Sequence, residues 1–129
     1  RYDESYGILQ NLHTVSTLPK DFEGNKSCAD VHVSRSGNFI YGSNRGHNSI
    51  VIFQVNKDTG KLTYDGHEST RGEIPRGFTI DPTGSFLLAA NQNSNNVIVF
   101  RIDQLTGKLT PTGHEEKVPT PVCIKTTST

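Results

Sequence analysis

GNFIYGSNRGHNSIVIFQVNKDTGKLTYDGHE, residues 37–68, and GSFLLAANQNSNNVIVFRIDQLTGKLTPTGHE, residues 84–115, are one stretch written twice. They align without a gap at an offset of 47 positions. Gly37, Phe39, Asn44, Asn48, Phe53, Thr59-Gly60-Lys61-Leu62-Thr63 and Gly66-His67-Glu68 recur as Gly84, Phe86, Asn91, Asn95, Phe100, Thr106-Gly107-Lys108-Leu109-Thr110 and Gly113-His114-Glu115. Most remaining pairs swap similar residues, as in Ile50/Val97 and Val55/Ile102. A period of this length assembled from short apolar runs is the mark of a β-propeller blade. The repeat also sorts residues by role. Positions that recur belong to the scaffold, and positions where one copy alone carries a charge or an imidazole are candidates for chemistry.

Each copy contains four apolar runs separated by turn residues, as a four-stranded antiparallel blade requires. The first copy predicts strands over Ala29–Val33, Phe39–Ser43, Ser49–Val55 and Leu62–Glu68, with Asn44 to Asn48 as a loop. The second predicts them over Gly77–Ile80, Phe86–Ala90, Asn96–Ile102 and Leu109–Glu115. Asp81-Pro82-Thr83-Gly84 is a strong turn, with Pro fixing φ at its second position and Gly closing its fourth. Ile50-Val51-Ile52-Phe53 and Val97-Ile98-Val99-Phe100 are apolar on both faces, as suits strands sandwiched between blades.

Outside the copies, Gly7-Ile8-Leu9 repeats the Gly60-Lys61-Leu62 entry into a fourth strand, and Pro121-Val122-Cys123-Ile124-Lys125 repeats an inner strand. The expected architecture is therefore all-β: about two and a half four-stranded antiparallel blades of a propeller. Residues 1–18 form the outer edge of a preceding blade, 28–72 and 75–120 two complete blades, and 121–126 the inner strand of a further or closing blade. Propellers close with four to eight blades, so missing blades or another copy of the chain are expected at the open strand edges.

Composition bounds the function. Among 129 residues, 13 basic and 13 acidic side chains cancel, which points away from nucleic acid and anionic membrane surfaces as partners. No apolar run approaches the roughly 18 residues of a membrane span. A chain opening on Arg1 is expected to be a fragment or a trimmed product. Cys28 and Cys123 fall at nearly equivalent repeat positions and are expected to be reduced, buried thiols. No metal-ligand spacing, phosphate-cradling glycine loop or Gly-x-Ser-x-Gly elbow is present, and neither metal nor cofactor is expected.

Strand parity places the remaining candidates. In an up-and-down blade, the start of strand one and the connection between strands two and three share one end. Arg76, Arg45, His47, Asn91 and Gln92 should therefore gather at one mouth of the channel. Arg45 stands where the other copy has Gln92, His47 where it has Ser94, and Arg76 where it has Ala29. These charges are additions to the template. Asn44 and Asn91 recur, as turn-formers do, and His67 and His114 recur as members of the outer strand. His13 and His32 have no partner feature and read as bland. By residues alone the chain carries an anion-receiving pocket at a propeller mouth.

At these positions the chain resembles the propeller lactonases, a family that includes bacterial 6-phosphogluconolactonases and fungal carboxymuconate cyclases. The likeness rests on Ser43-Asn44-Arg45-Gly46-His47-Asn48-Ser49-Ile50, Pro75-Arg76-Gly77-Phe78-Thr79-Ile80-Asp81-Pro82-Thr83-Gly84, Ala89-Ala90-Asn91-Gln92-Asn93-Ser94 and Pro121-Val122-Cys123. It implies a seven-bladed parent of which this chain is the last third, with further active-site residues in the missing part. It also implies that the parent hydrolyses an anionic small-molecule lactone, a phosphorylated sugar lactone of the 6-phosphogluconolactone kind, that this segment alone is inactive, and that the location is cytoplasmic. Arg45 and His47 would be catalytic, and Arg76, Asn44, Asn91 and Gln92 would bind substrate. Arginine offers a rigid fork for phosphate or carboxylate and can stabilise an oxyanion. An imidazole titrating near neutrality can orient or deprotonate water. A muconate-type lactonising isomerase and a non-catalytic binding platform are the alternatives.

Overall fold

The computed structural model describes residues 1–127 and, among them, contains strands and no helix. A short hairpin, β1 (Tyr2–Asp3) and β2 (Ile8–Leu9), precedes two four-stranded antiparallel sheets. The first is β3 (Ser27–Val33), β4 (Phe39–Arg45), β5 (Ser49–Val55) and β6 (Leu62–Ser69), paired in chain order. The second is β7 (Pro75–Ile80), β8 (Phe86–Asn91), β9 (Asn96–Ile102) and β10 (Leu109–Lys117), again paired in chain order.

Strand two runs further than its sequence suggests. β4 continues through Asn44 and Arg45, and β8 through Asn91, so these residues lie in the sheet and not in a loop. Pairing reaches Asn44↔Ser49 and Asn91↔Asn96 because the turn is closed by Asn48 and Asn95 at φ 53° and 54°. That left-handed region is one asparagine tolerates better than most side chains.

Period-two alternation builds the seam between the sheets. Phe39, Tyr41, Ile50 and Ile52 of the first sheet pack with Phe78, Leu87, Ala89, Ile98, Phe100, Ile102 and Leu109 of the second. Tyr41 is fully buried and its hydroxyl donates to the Gly107 carbonyl at 2.8 Å, a bond from one sheet to the far turn of the other. Gly107 is obligatory there. Its φ is 71°, and a β-carbon would stand 2.5 Å from Cδ1 of Phe39.

The third strands differ in a way that reports what surrounds them. Ile50 to Phe53 are buried on both faces, whereas Val97 and Val99 of β9 are only half-buried. Val31 and Val33 of β3 are exposed at 65% and 57%. Among the described residues, each end of the array presents an apolar sheet face with no sheet against it. The same geometry corrects one expectation: Cys28 and Cys123 are free thiols but exposed, not buried. Cys28 stands on the first inner strand and Cys123 beyond the last sheet, so each has a neighbouring blade on one side at most.

Three hairpins share one capped turn. Oδ1 of Asp3 accepts from the amides of Ser5 and Tyr6, Oδ1 of Asn56 from Asp58 and Thr59, and Oδ1 of Asp103 from Leu105 and Thr106. Each is an Asx turn leading to a glycine with positive φ, Gly7, Gly60 or Gly107. The β1–β2 hairpin thus has the same construction as the outer hairpin of either sheet.

Candidate functional site

The starts of β3 and β7 and the ends of β4 and β8 lie at one end of the array, through the pairs Ser27↔Arg45, Cys28↔Asn44 and Pro75↔Asn91. Both inner strands bulge here. The β3 ladder shifts register between Cys28 and Val31, and the β7 ladder between Pro75 and Gly77. A bulge inserts a residue and re-aims its side chain. In the second sheet the inserted residue is Arg76, and in the first Ala29 and Asp30 together stand opposite Ser43.

Arg76 is exposed and, among the described residues, makes no side-chain hydrogen bond or ion pair. Arg45 is half-buried. Its Nη2 donates to Ser27 Oγ at 2.6 Å and to the Cys28 carbonyl at 2.9 Å, while its buried Nε has no partner. Neither guanidinium is neutralised by a carboxylate among the described residues. Two permanent positive charges without carboxylate partners are a favourable setting for a phosphate or carboxylate.

The recurring asparagines do something the sequence did not show. Asn44 and Asn91 are fully buried, and Nδ2 of each donates to a backbone carbonyl of the segment entering its sheet: Thr17 at 2.7 Å and Thr70 at 2.8 Å. Asn44 Oδ1 receives the Cys28 thiol at 3.6 Å. Pro75 holds the matching place beside Asn91 and has no donor, which leaves Asn91 Oδ1 unpaired. Asn48 Oδ1 accepts from the amide of Ile74 at 3.0 Å and Asn95 Oδ1 from that of Thr120 at 2.8 Å. These four side chains fasten the inter-sheet connections that carry the rim. Gln92 is half-buried, and its backbone amide donates to Ile74 at 2.9 Å.

His47 stands on the outer side of this end, apart from the Arg45 contacts. Its Nδ1 meets Ser49 Oγ at 2.7 Å, and its ring lies edge-on to Phe22 at 4.9 Å and to His67 at 5.1 Å. Burial, then the proximity of His67, lowers its pKa, which favours the neutral ring. His67 donates from Nε2 to the Thr17 carbonyl at 2.8 Å, and its Nδ1 shares a hydrogen bond with the Tyr64 hydroxyl at 2.9 Å.

One pair was missed. Asp30 and His32 lie two apart on β3, with His32 Nε2 3.2 Å from Asp30 Oδ2. The same carboxylate accepts from the amide of Phe78 on β7 at 3.2 Å, and His32 packs edge-on to the Phe78 ring at 4.6 Å. Burial works against ionisation of Asp30. The Phe78 amide, then the bond and charge of His32 and the Val31 amide, outweigh it and hold the carboxyl below its ordinary value. The available signal was repeat asymmetry: Asp30 stands where the second copy has Gly77, and His32 where it has Thr79.

Comparison with known proteins fits this geometry. The chain is 40% identical over 124 residues to 6-phosphogluconolactonase of Bacillus subtilis, a match covering 96% of the chain and 36% of that protein. A crystal structure of a protein from Lactobacillus plantarum superposes with a TM-score of 0.89 at 37% identity, covering 95% of the chain and 36% of the other. The periplasmic gluconolactonase of Pseudomonas aeruginosa gives a TM-score of 0.89 at 34% identity, covering 95% and 34%. The chain therefore spans about a third of the length of the relatives it matches. The family model described as "Lactonase, 7-bladed beta-propeller" matches residues 1–126, and the chain belongs to that family of propeller lactonases.

Proposed function

We propose that the protein containing this chain hydrolyses the lactone of a phosphorylated sugar acid. The observation that carries the reading is the pair of arginines without carboxylate partners at one end of the inner strands. In this reading Arg76, free in a bulge, takes the phosphate, and the half-exposed guanidinium of Arg45 stabilises the oxyanion formed when water attacks the carbonyl. Asn44, Asn91 and Gln92 contribute by holding the strand ends that carry the rim. His47, on the outer side of the same end beside Ser49 and His67, orients water at the rim. Relatives named as 6-phosphogluconolactonases support the substrate class.

The remaining blades would cover the apolar faces of β3 and of β8–β9 and complete the ring. We place the protein in the cytoplasm, where a phosphorylated sugar lactone would be met. No helix among the described residues is long and apolar enough to cross a membrane.

The test compares hydrolysis of 6-phosphogluconolactone and of unphosphorylated gluconolactone by the intact protein. A charge-assisted contact contributes roughly 1.5–3 kcal/mol, so kcat/KM should favour the phosphorylated lactone by about tenfold to a hundredfold. Equal rates, or no turnover of either, would overturn the reading.

A further inference from the structure

We propose that His32 is a catalytic base of the lactone hydrolysis and that Asp30 is its positioning residue. The inference rests on the reading of the intact protein as a lactone hydrolase.

The geometry fixes the tautomer. An ionised carboxylate only accepts, so His32 Nε2, 3.2 Å from Asp30 Oδ2, must carry the proton. In the neutral ring this leaves the lone pair on Nδ1, which has no hydrogen-bond partner among the described residues. The arrangement is that of an acid–histidine pair in which the carboxylate orients one nitrogen and the other acts as base. Asp30 is itself held in place, since Oδ2 also takes the amide of Phe78, Oδ1 takes that of Val31, and its own amide donates to Ser43 Oγ at 3.1 Å. The bulge between Cys28 and Val31 lets the carboxylate cross from β3 to the edge of β7. Both side chains remain 35% exposed, open enough to meet a ligand.

Placement relative to the arginines is consistent with one substrate. His32 occupies the repeat position of Thr79, three residues along the inner strand from that of Arg76. At about 3.3 Å per residue the two positions differ in height along neighbouring inner strands by roughly 10 Å, with Arg76 toward the rim and His32 deeper between the sheets.

The proton count closes. As water attacks the lactone carbonyl carbon, a C–O bond forms, His32 Nδ1 takes one water proton, and the carbonyl π pair moves to oxygen. Collapse of that oxyanion restores the carbonyl and breaks the bond to the ring oxygen. The departing alkoxide takes the proton back from Nδ1, giving the hydroxy acid and neutral imidazole.

The experiment uses the intact protein. His32→Gln should lower kcat by about a hundredfold to ten-thousandfold, the usual range for a general base, with KM changed by less than about threefold. His32→Ala should regain part of its turnover on addition of imidazole, which a purely structural role would not allow. Asp30→Asn keeps an acceptor for Phe78 but loses the charge. It should lower kcat about tenfold, and nitrogen NMR of neutral His32 should show the Nε2-protonated form of the wild type giving way to a mixture. Normal kcat in His32→Gln, beside an active wild type, overturns the assignment. So does a wild-type His32 protonated at Nδ1, whatever the turnover. A wild type that shows the Nε2 tautomer but hydrolyses neither lactone refutes the functional reading and removes the base role, leaving the dyad geometry intact.

Discussion

Replacing Asn91 tests how the rim is held. Its Nδ2 donates to the Thr70 carbonyl at 2.8 Å, and both residues are fully buried. Asn91→Ala removes a hydrogen bond with a net contribution near 1 kcal/mol and strands a buried carbonyl at a further cost of about 1–3 kcal/mol. A loss of about 2–4 kcal/mol is expected. Asn91→Asp has almost the same shape but sets a carboxylate oxygen against that carbonyl, in a site where Oδ1 already lacks a partner. An unpaired buried charge is worse than a gap, so the Asp variant should lose more than the Ala variant at pH 8, about 4 kcal/mol or more.

The pH dependence of this variant has a definite sign. Burial raises the carboxyl's folded pKa above the unfolded value near 3.9. The penalty therefore grows as pH rises above that value, and it is relieved as the acid protonates and donates to Thr70. Urea denaturation of the intact protein at pH 5.5 and pH 8 measures this. An Asp variant as stable as wild type at pH 8, or an Ala variant losing less than about 0.5 kcal/mol, would refute the clamp.

Gly107→Ala combines an adverse φ, about 1 kcal/mol, with a β-carbon 2.5 Å from the Phe39 ring, and should cost about 3 kcal/mol in thermal or chemical unfolding. Gly37→Ala at the same φ of 71° meets nothing within 4 Å and should cost only about 1 kcal/mol. In acid, Asp30 and Asp81 should each draw stability down. Burial opposes ionisation of Asp81 as it does that of Asp30, but its bonds from the Thr83 hydroxyl and the amides of Phe86, Thr83 and Ser85 prevail, and both carboxyls titrate below their ordinary range. Their contribution is complete above the unfolded value near 3.9 and is lost as pH falls through the folded value. Asp81→Asn should flatten that fall in an acid titration followed by circular dichroism.

The fold was legible because the repeat fixed the turns. Asp-Pro-Thr-Gly and Asp-Gln-Leu-Thr-Gly punctuate the chain, and two aligned copies leave little freedom in strand placement. The site was legible only as a set of positions. That Asn44 and Asn91 would be buried clamps depends on the segments carrying Thr17 and Thr70 reaching their side chains, a long-range fact that local asparagine chemistry does not contain. Ala29-Asp30-Val31-His32 reads as a plain alternating strand. The bulge that turns Asp30 toward Phe78 leaves no mark in residue types, and only the contrast with Gly77 and Thr79 pointed there. The exposure of Cys28 and Cys123 follows from how many blades stand beside them, which the composition of either segment does not reveal.

The central claim is that Arg76 and Arg45 receive the substrate's anion and developing charge, and steady-state kinetics of the intact protein test it most directly. With 6-phosphogluconolactone, kcat/KM should fall about tenfold to a hundredfold in Arg76→Ala, the range for one lost charge-assisted contact. With unphosphorylated gluconolactone, Arg76→Ala should leave the rate nearly unchanged, while Arg45→Ala should lower kcat on both. Arg76→Lys should restore only part of the loss, because a point charge does not reproduce the fork. Arginine variants that turn over the phosphorylated lactone at the wild-type rate would contradict the account.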